Sequence, residues 1–369
     1  MITDLFINNF KSLKSVYLKT KKVNLFIGYP NVGKSNVLEA MSLLSPSQPS
    51  HRFMDGYIRY DDVENLFYEN DPSEPIIVAT NVGAAYINKL NIYSDKFTYG
   101  LLINELPTSY ISNLAKKKPA IWELMDMINS EASDVDPEDF FKIGCTYNLY
   151  VNGVTDLSSK QTSYHFAVSI TEIDLYIKKY DFRPNDTFKI KFPDFLLPPF
   201  GENLFSIFEA NEELYNDINQ LLAGNDLELV LRVKERKLEV QRKKGAKVYA
   251  FPYTSIADTI QRLAFYLAAI YSNKNSVLLF EEPEAHSFPP FVQMLASRIA
   301  ADNSNQYFIT THSPYIFDTL LEQLGKDEIA VHVCSYQDDQ THIRTLSSEE
   351  LANVQNMREE IFFNLEKYS

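Results

Sequence analysis

Residues 28–35 read Gly28-Tyr29-Pro30-Asn31-Val32-Gly33-Lys34-Ser35, which is G-x-x-x-x-G-K-S. They are preceded by the apolar run Val23 to Ile27 and followed by a helical pattern from Asn36 to Leu44. A chain with this strand, loop and helix is constrained at once. The glycines let backbone N–H groups turn inward around an anion, and the helix N-terminus adds the positive end of its dipole. Lys34 is placed to reach outer phosphates and the Ser35 hydroxyl to ligate Mg²⁺. The candidate phosphate cradle is therefore Gly28, Asn31, Val32, Gly33, Lys34, Ser35 and Asn36, with ATP and Mg²⁺ as the expected cofactors.

Length and composition narrow the setting. At 369 residues, with 45% hydrophobic and 23% charged residues, the chain can bury a full core and is not of the disordered class. The two cysteines, Cys145 and Cys334, stand far apart without metal-ligand spacing, which suits a reducing compartment. The N-terminus lacks a basic-then-apolar leader, and no apolar run approaches the ~20 residues of a membrane span. A soluble, cytoplasmic protein with no membrane partner is expected.

The net charge of −14 would repel a phosphate backbone, so any contact with nucleic acid has to be local. Arg232 to Lys247 is a candidate, with eight basic residues against Glu235 and Glu239. Alternation in Leu229 to Lys234 and in Leu238 to Gln241 predicts a hairpin, for which a solvated sheet face is the plainer reading. Lys116-Lys117-Lys118 is a weaker basic candidate.

Two blocks carry recognisable punctuation. The first predicts strands over Ile2 to Ile7, Ser15 to Leu18 and Val23 to Ile27, then a helix. The second predicts a helix over Ala257 to Tyr271, a strand Ser276 to Phe280, a helix Pro289 to Ala301 and a strand Gln306 to Thr310. Closing strands near Ile329 to Cys334 and His342 to Leu346 precede a terminal helix over Ser347 to Tyr368. Such alternation argues for a largely parallel sheet flanked by helices. In between, Ser45 to Ser50 reads as a break, while Ile76 to Thr80, Phe97 to Ile103, Cys145 to Val151 and His165 to Ile170 read as an antiparallel layer. Residues 108–142 read as helical with Trp122 and Met125 in the core, and Glu202 to Leu222 as one helix after the Pro-rich Phe192 to Phe200. The expected fold class is α/β, a P-loop NTPase with a mainly parallel sheet, an antiparallel β layer and a helical insertion. The expected domain division is a core of 1–50 and 225–369, with 51–224 as insertion.

Two further motifs carry chemistry. After the strand ending at Phe280 comes Glu281-Glu282-Pro283-Glu284-Ala285-His286. A carboxylate ending a buried strand can hold the metal shell, and its neighbour can polarise an attacking water, so Glu281 is assigned to the metal and Glu282 to general-base work. The next strand ends Thr310-Thr311-His312-Ser313-Pro314, where His312 can sense a terminal phosphate. The same residues also suit ordinary strand ends, and the phosphate loop upstream is what favours catalysis.

In order, Ile7-Asn8-Asn9-Phe10-Lys11-Ser12-Leu13, the phosphate loop with its flanks, Leu279 to His286 and Thr310 to Pro314 resemble the ABC-type ATPase heads of the SMC, RecF and OLD proteins. The likeness is greatest to OLD-like ATPases of bacterial anti-phage systems such as Septu, PARIS and Gabija. It covers both ends of the chain well and the middle poorly. The 247 residues from Lys34 to Glu281 fit that group. The resemblance implies ATP hydrolysis by heads that form a homodimer or higher homo-oligomer around the nucleotide. One subunit's loop faces the other's signature segment, Thr254 to Arg262 here. Ser255 would donate its hydroxyl and Lys11 would reach the nucleotide. Relatives carry glycines where this chain has Ala257, Asp258 and Thr259, a departure that points to slow turnover or to ATP used as a latch. It also implies a separate effector protein, a nuclease or toxin, in defence. DNA-repair or DNA-end processing of the RecF or SMC type is the alternative. A self-contained OLD-type nuclease would need a metal-binding domain after His312. The Asp338-Asp339 pair there reads as a hairpin tip.

Overall fold

The computed structural model describes residues 1–45, 52–91, 94–103, 105–116, 119–133, 143–161, 176–357 and 361–368. The strand expected over His165 to Ile170, the break at 46–50, Lys117 and Lys118, and 134–142 of the helical stretch lie outside the described residues. By compactness the chain divides into Met1–Ile177 with Lys326–Ser369, and Lys178–Gly325.

The first unit opens with strands β1 (Asp4–Phe10), β2 (Leu13–Lys19) and β3 (Val23–Gly28), then helix α1 (Lys34–Ser42). An antiparallel layer follows, made of β4 (Ile76–Thr80), β5 (Gly83–Lys89) and β6 (Lys96–Ile103), helices α2 (Thr108–Leu114) and α3 (Pro119–Ser133), then β7 (Ile143–Tyr150) and β8 (Thr155–Gln161). Its strands are ordered β2-β1-β4-β5-β6-β7-β8, all antiparallel. The β1 strand is buried along its whole length, whereas β2 alternates and so faces solvent on one side. Helix α3 turns Ile121, Leu124, Met125 and Ile128 onto this sheet. That i, i+3, i+4, i+7 stripe leaves Trp122 off the buried arc, and it is 49% exposed rather than in the core.

The second unit runs from the end of β9 (Ile177–Tyr180) through α4 (Leu204–Ala210) and α5 (Glu212–Ala223) to strands β10 (Glu228–Arg232), β11 (Lys237–Lys244) and β12 (Lys247–Pro252). It continues with α6 (Asp258–Ser272), β13 (Val277–Glu281), α7 (Pro289–Ala301), β14 (Gln306–Thr310) and α8 (Pro314–Gln323). The single helix expected over Glu202 to Leu222 is two. Asn211 adopts an extended backbone and its side chain accepts from the Leu214 N–H at 2.9 Å, capping α5. The expected hairpin gains a third strand, giving the antiparallel order β10-β11-β12. Strands β13 and β14 pair in parallel, with β9 beside β13.

The chain then returns to the first unit with β15 (Ile329–Gln337), β16 (Gln340–Thr345) and α9 (Ser348–Met357). Strand β15 pairs parallel to β3, and β16 pairs antiparallel to β15. Asp338 and Asp339, both at positive φ, form the hairpin tip. The terminal helix is shorter than expected. It ends at Met357, and two 3-10 turns, Ile361–Phe363 and Leu365–Lys367, follow among the described residues.

Candidate functional site

Strand β3 delivers the chain into the phosphate loop, and two glycines there are required by sterics. Gly28 has φ +154, and a Cβ on it would overlap the Cys334 carbonyl of neighbouring β15. Gly33 has φ +90, and its Cβ would overlap Thr341 Oγ1 and lie 2.5 Å from Ser12 Oγ. Asn31 also takes a left-handed backbone, at φ 60. Tyr29, Pro30 and Asn31 face solvent, while Val32 is buried.

Helix α1 begins at Lys34 with no side-chain cap on Gly33 and no acidic residue in its first turn, which leaves the positive end of its dipole at the loop. Lys34 itself is buried, and its ammonium donates to the carbonyls of Gly28 at 3.1 Å and Tyr29 at 2.8 Å. The Ser35 hydroxyl is half-buried and hydrogen-bonds to nothing among the described residues. Such a cradle fits a phosphate chain with a divalent cation: anion donors, an oriented cation and a hydroxyl ligand stand together.

The loop is braced from the far end of the chain. Thr341 on β16 donates its hydroxyl to the Val32 carbonyl at 2.9 Å and lies 2.6 Å from Ser12 Oγ. Ser12 Oγ also accepts from Asn36 Nδ2 at 2.8 Å, and the Ser12 carbonyl accepts from the Thr341 N–H at 2.8 Å. Sequence reading did not find Thr341, since nothing local marks a threonine in a closing strand. Lys11 lies in this unit too, where its ammonium donates to the fully buried Glu39 carboxylate and, at 2.6 Å, to the Arg59 carbonyl. Arg59 Nε reaches the other Glu39 oxygen at 2.7 Å.

The acidic pair and the histidine belong to the second unit. Glu281 ends β13, and Lys179 places its ammonium 3.2 Å from Glu281 Oε2. No local signal could have announced Lys179, 102 residues upstream. Glu282 turns sharply, at φ 42, with its N–H donating to the Thr310 carbonyl at 3.0 Å. That turn carries its carboxylate toward His312, whose Nε2 lies 3.4 Å from Glu282 Oε1. Both side chains are partly exposed.

Glu284, which the sequence reading left without a role, ties this loop to the next strand. Its Oε1 accepts from Thr311 Oγ1 at 2.7 Å and from the His312 N–H at 2.8 Å. The residue is half-buried, but Oε2 is sealed from solvent and lacks a hydrogen-bond donor among the described residues. Burial pushes the Glu284 carboxyl above its ordinary range, against the lowering effect of those two bonds. Farther along, Ser255 is exposed in a 3-10 turn before α6. Asp258 opens α6 and accepts from Arg262 Nε at 2.8 Å, so its charge has a partner one turn on.

Residues 255–317 match the family described as AAA ATPase domain, a segment that contains Ser255, Glu281, Glu282 and His312. No curated protein matches the chain in sequence. Among solved structures, an Smc head bound to the C-terminal winged-helix domain of ScpA aligns at a TM-score of 0.48 and 15% identity, over 95% of this chain and 99% of that one. The Smc head with an extended coiled coil bound to the C-terminal domain of ScpA from Pyrococcus furiosus gives 0.47 and 14%, over 97% and 99%. The SMC head domain from Thermotoga maritima gives 0.38 and 11%, over 94% and 99%. The fold is mixed α/β of the P-loop ATPase kind, and no helix of the described residues is long and apolar enough to cross a membrane.

Proposed function

We propose that the chain binds ATP with Mg²⁺ at Gly28 to Asn36 and hydrolyses it slowly, and that nucleotide-dependent association of copies governs a partner effector. The observation that carries this reading is the loop itself. Two glycines whose Cβ positions are occupied, an uncapped helix start and a lysine held over the loop carbonyls form a cradle for a phosphate chain.

In this reading Lys34 binds the outer phosphates, and Ser35 with Glu281 holds the metal. A divalent cation held there neutralises phosphate charge. Glu282 would accept a proton from the attacking water at its carboxylate, and His312, 3.4 Å away, would orient that carboxylate and is assigned to sensing a terminal phosphate. Glu284 fixes the His312 backbone. Ser255 of a second copy would complete the site. Lys11, held by Glu39, is read as bracing α1 rather than as a nucleotide ligand.

A glycine-free signature segment in which Asp258 opens α6 favours a second reading, a nucleotide latch with little turnover. The effector, a nuclease or toxin of bacterial anti-phage defence, follows from the motif resemblance. DNA-end processing of the RecF or SMC type is the alternative. Glu282→Gln removes the base but keeps the binding groups, so it should cut hydrolysis by about 100-fold or more and accumulate an ATP-dependent dimer. Light scattering with and without ATP and Mg²⁺ checks this; unchanged hydrolysis and no association would overturn the assignment.

A further inference from the structure

The three-stranded sheet of the second unit is half covered. Leu229, Leu238 and Val240 are buried at its base, where α5 packs on β10. Beyond that the β11–β12 hairpin projects, and every residue of β12 is exposed. Val248, Tyr249 and Phe251 are 56%, 46% and 41% exposed, although large apolar side chains normally find cover.

Pairing register sorts these side chains by face. Val240 is opposite Phe251, Arg242 opposite Tyr249, and Lys244 opposite Lys247, all on one face; Lys243 and Val248 share the other. From Val240 to Pro252 the chain carries no acid, in a protein of net charge −14. Lys243, Lys244 and Lys247 form no ion pair among the described residues, and Arg242 donates one bond to the Asn225 carbonyl at 3.0 Å. A Cβ at the hairpin tip, Gly245, would meet nothing. Edge-strand lysines alone would read as protection against strand addition, but such protection does not come with three exposed apolar side chains in the same strand.

We propose that this hairpin face binds single-stranded nucleic acid without sequence preference. Tyr249 and Phe251 lie two residues apart on one strand face, about 7 Å along the strand, with cations beside and beyond them. A ladder of ring faces and positive charges matches a strand that alternates bases with phosphates. The inference is independent of the nucleotide reading, because no residue of the phosphate loop or acidic pair takes part.

The test is fluorescence anisotropy of the full chain with labelled dT and rU 20-mers, without ATP, across a salt series. Binding is expected with a log–log salt slope near −2 to −3, as three or four phosphate contacts give on a single strand. Lys244→Glu/Lys247→Glu, on the face of Tyr249 and Phe251, should weaken it at least tenfold. Tyr249→Ala and Phe251→Ala should each weaken it about fivefold or more, with Phe251→Tyr restoring it. Unchanged circular dichroism and melting of each variant keep the reading independent of folding. No binding, equal binding to duplex with silent aromatic variants, or equal competition by polyglutamate or anionic vesicles would each overturn the proposal. The dT and rU arms decide which sugar is preferred.

Discussion

Position 33 demands glycine, and position 341 a side chain with a hydroxyl. At φ +90 any L side chain is strained at position 33, and the space its Cβ needs already holds the Thr341 and Ser12 hydroxyls. Thr341 in turn satisfies the buried Val32 carbonyl. Removing that donor strands a buried acceptor at a cost of ~1–3 kcal/mol. Thr341→Val should therefore weaken ATP binding about tenfold, since ~1.4 kcal/mol is a factor of ten, while Thr341→Ser should bind like the parent. Isothermal titration calorimetry measures both. Equal affinity in Thr341→Val would show that the loop holds its shape without the brace. The loop's residue types were legible because their roles are local: glycine for positive φ, lysine and serine at a helix start. Glu284 was not, because a carboxylate three residues past a strand reveals its partners only once β14 lies alongside.

At the scale of elements, the β3–β15 pair contains a titratable group with no solvent. His332 is fully buried, stacked on Phe26 at 4.7 Å, with Nδ1 2.8 Å from Thr345 Oγ1 and Nε2 lacking a partner among the described residues. Desolvation, helped by the nearby Lys21 charge, lowers its pKa from 6.5 to about 3. The folded state therefore holds neutral histidine where the unfolded chain takes up a proton. Stability from this group is complete above pH 6.5 and falls as pH drops toward 3, by ~1.4 kcal/mol per unit inside that window. His332→Leu should be less stable than the parent at pH 7, for want of the Thr345 bond, yet should lose less between pH 6 and 5. Urea unfolding at those three pH values gives the comparison, and parallel losses for the two proteins would contradict it. The elements themselves were largely readable from periodicity. The split at Asn211 and the exposure of Trp122 were not, because a cap residue and a one-position offset from a stripe do not change the apolar spacing.

For the whole molecule, the loop lies in a unit assembled from both ends of the chain, with 178–325 intervening. The Val23 N–H donates to the Glu328 carbonyl at 2.8 Å and the Thr341 N–H to Ser12, so folding of this unit has to close a gap of some 300 residues. A ligand that binds only the folded state adds stability by mass action, ~2.7 kcal/mol at a hundredfold excess over Kd. ATP with Mg²⁺ should raise the melting temperature of the parent and of Glu282→Gln, and leave Lys34→Ala unmoved; a shift in Lys34→Ala equal to the parent's would remove Lys34 from phosphate binding. By itself the sequence determined the residue types of the loop, the strand that leads into Glu281-Glu282 and most helices and strands. Each of these depends on backbone stereochemistry and apolar spacing within a few residues. Tertiary structure alone decided that Thr341 braces Val32, that Lys179 meets Glu281 and that β12 is left uncovered. Which side chains meet across distant strands is set by pairing register, where a slip of one residue turns every side chain to the opposite face.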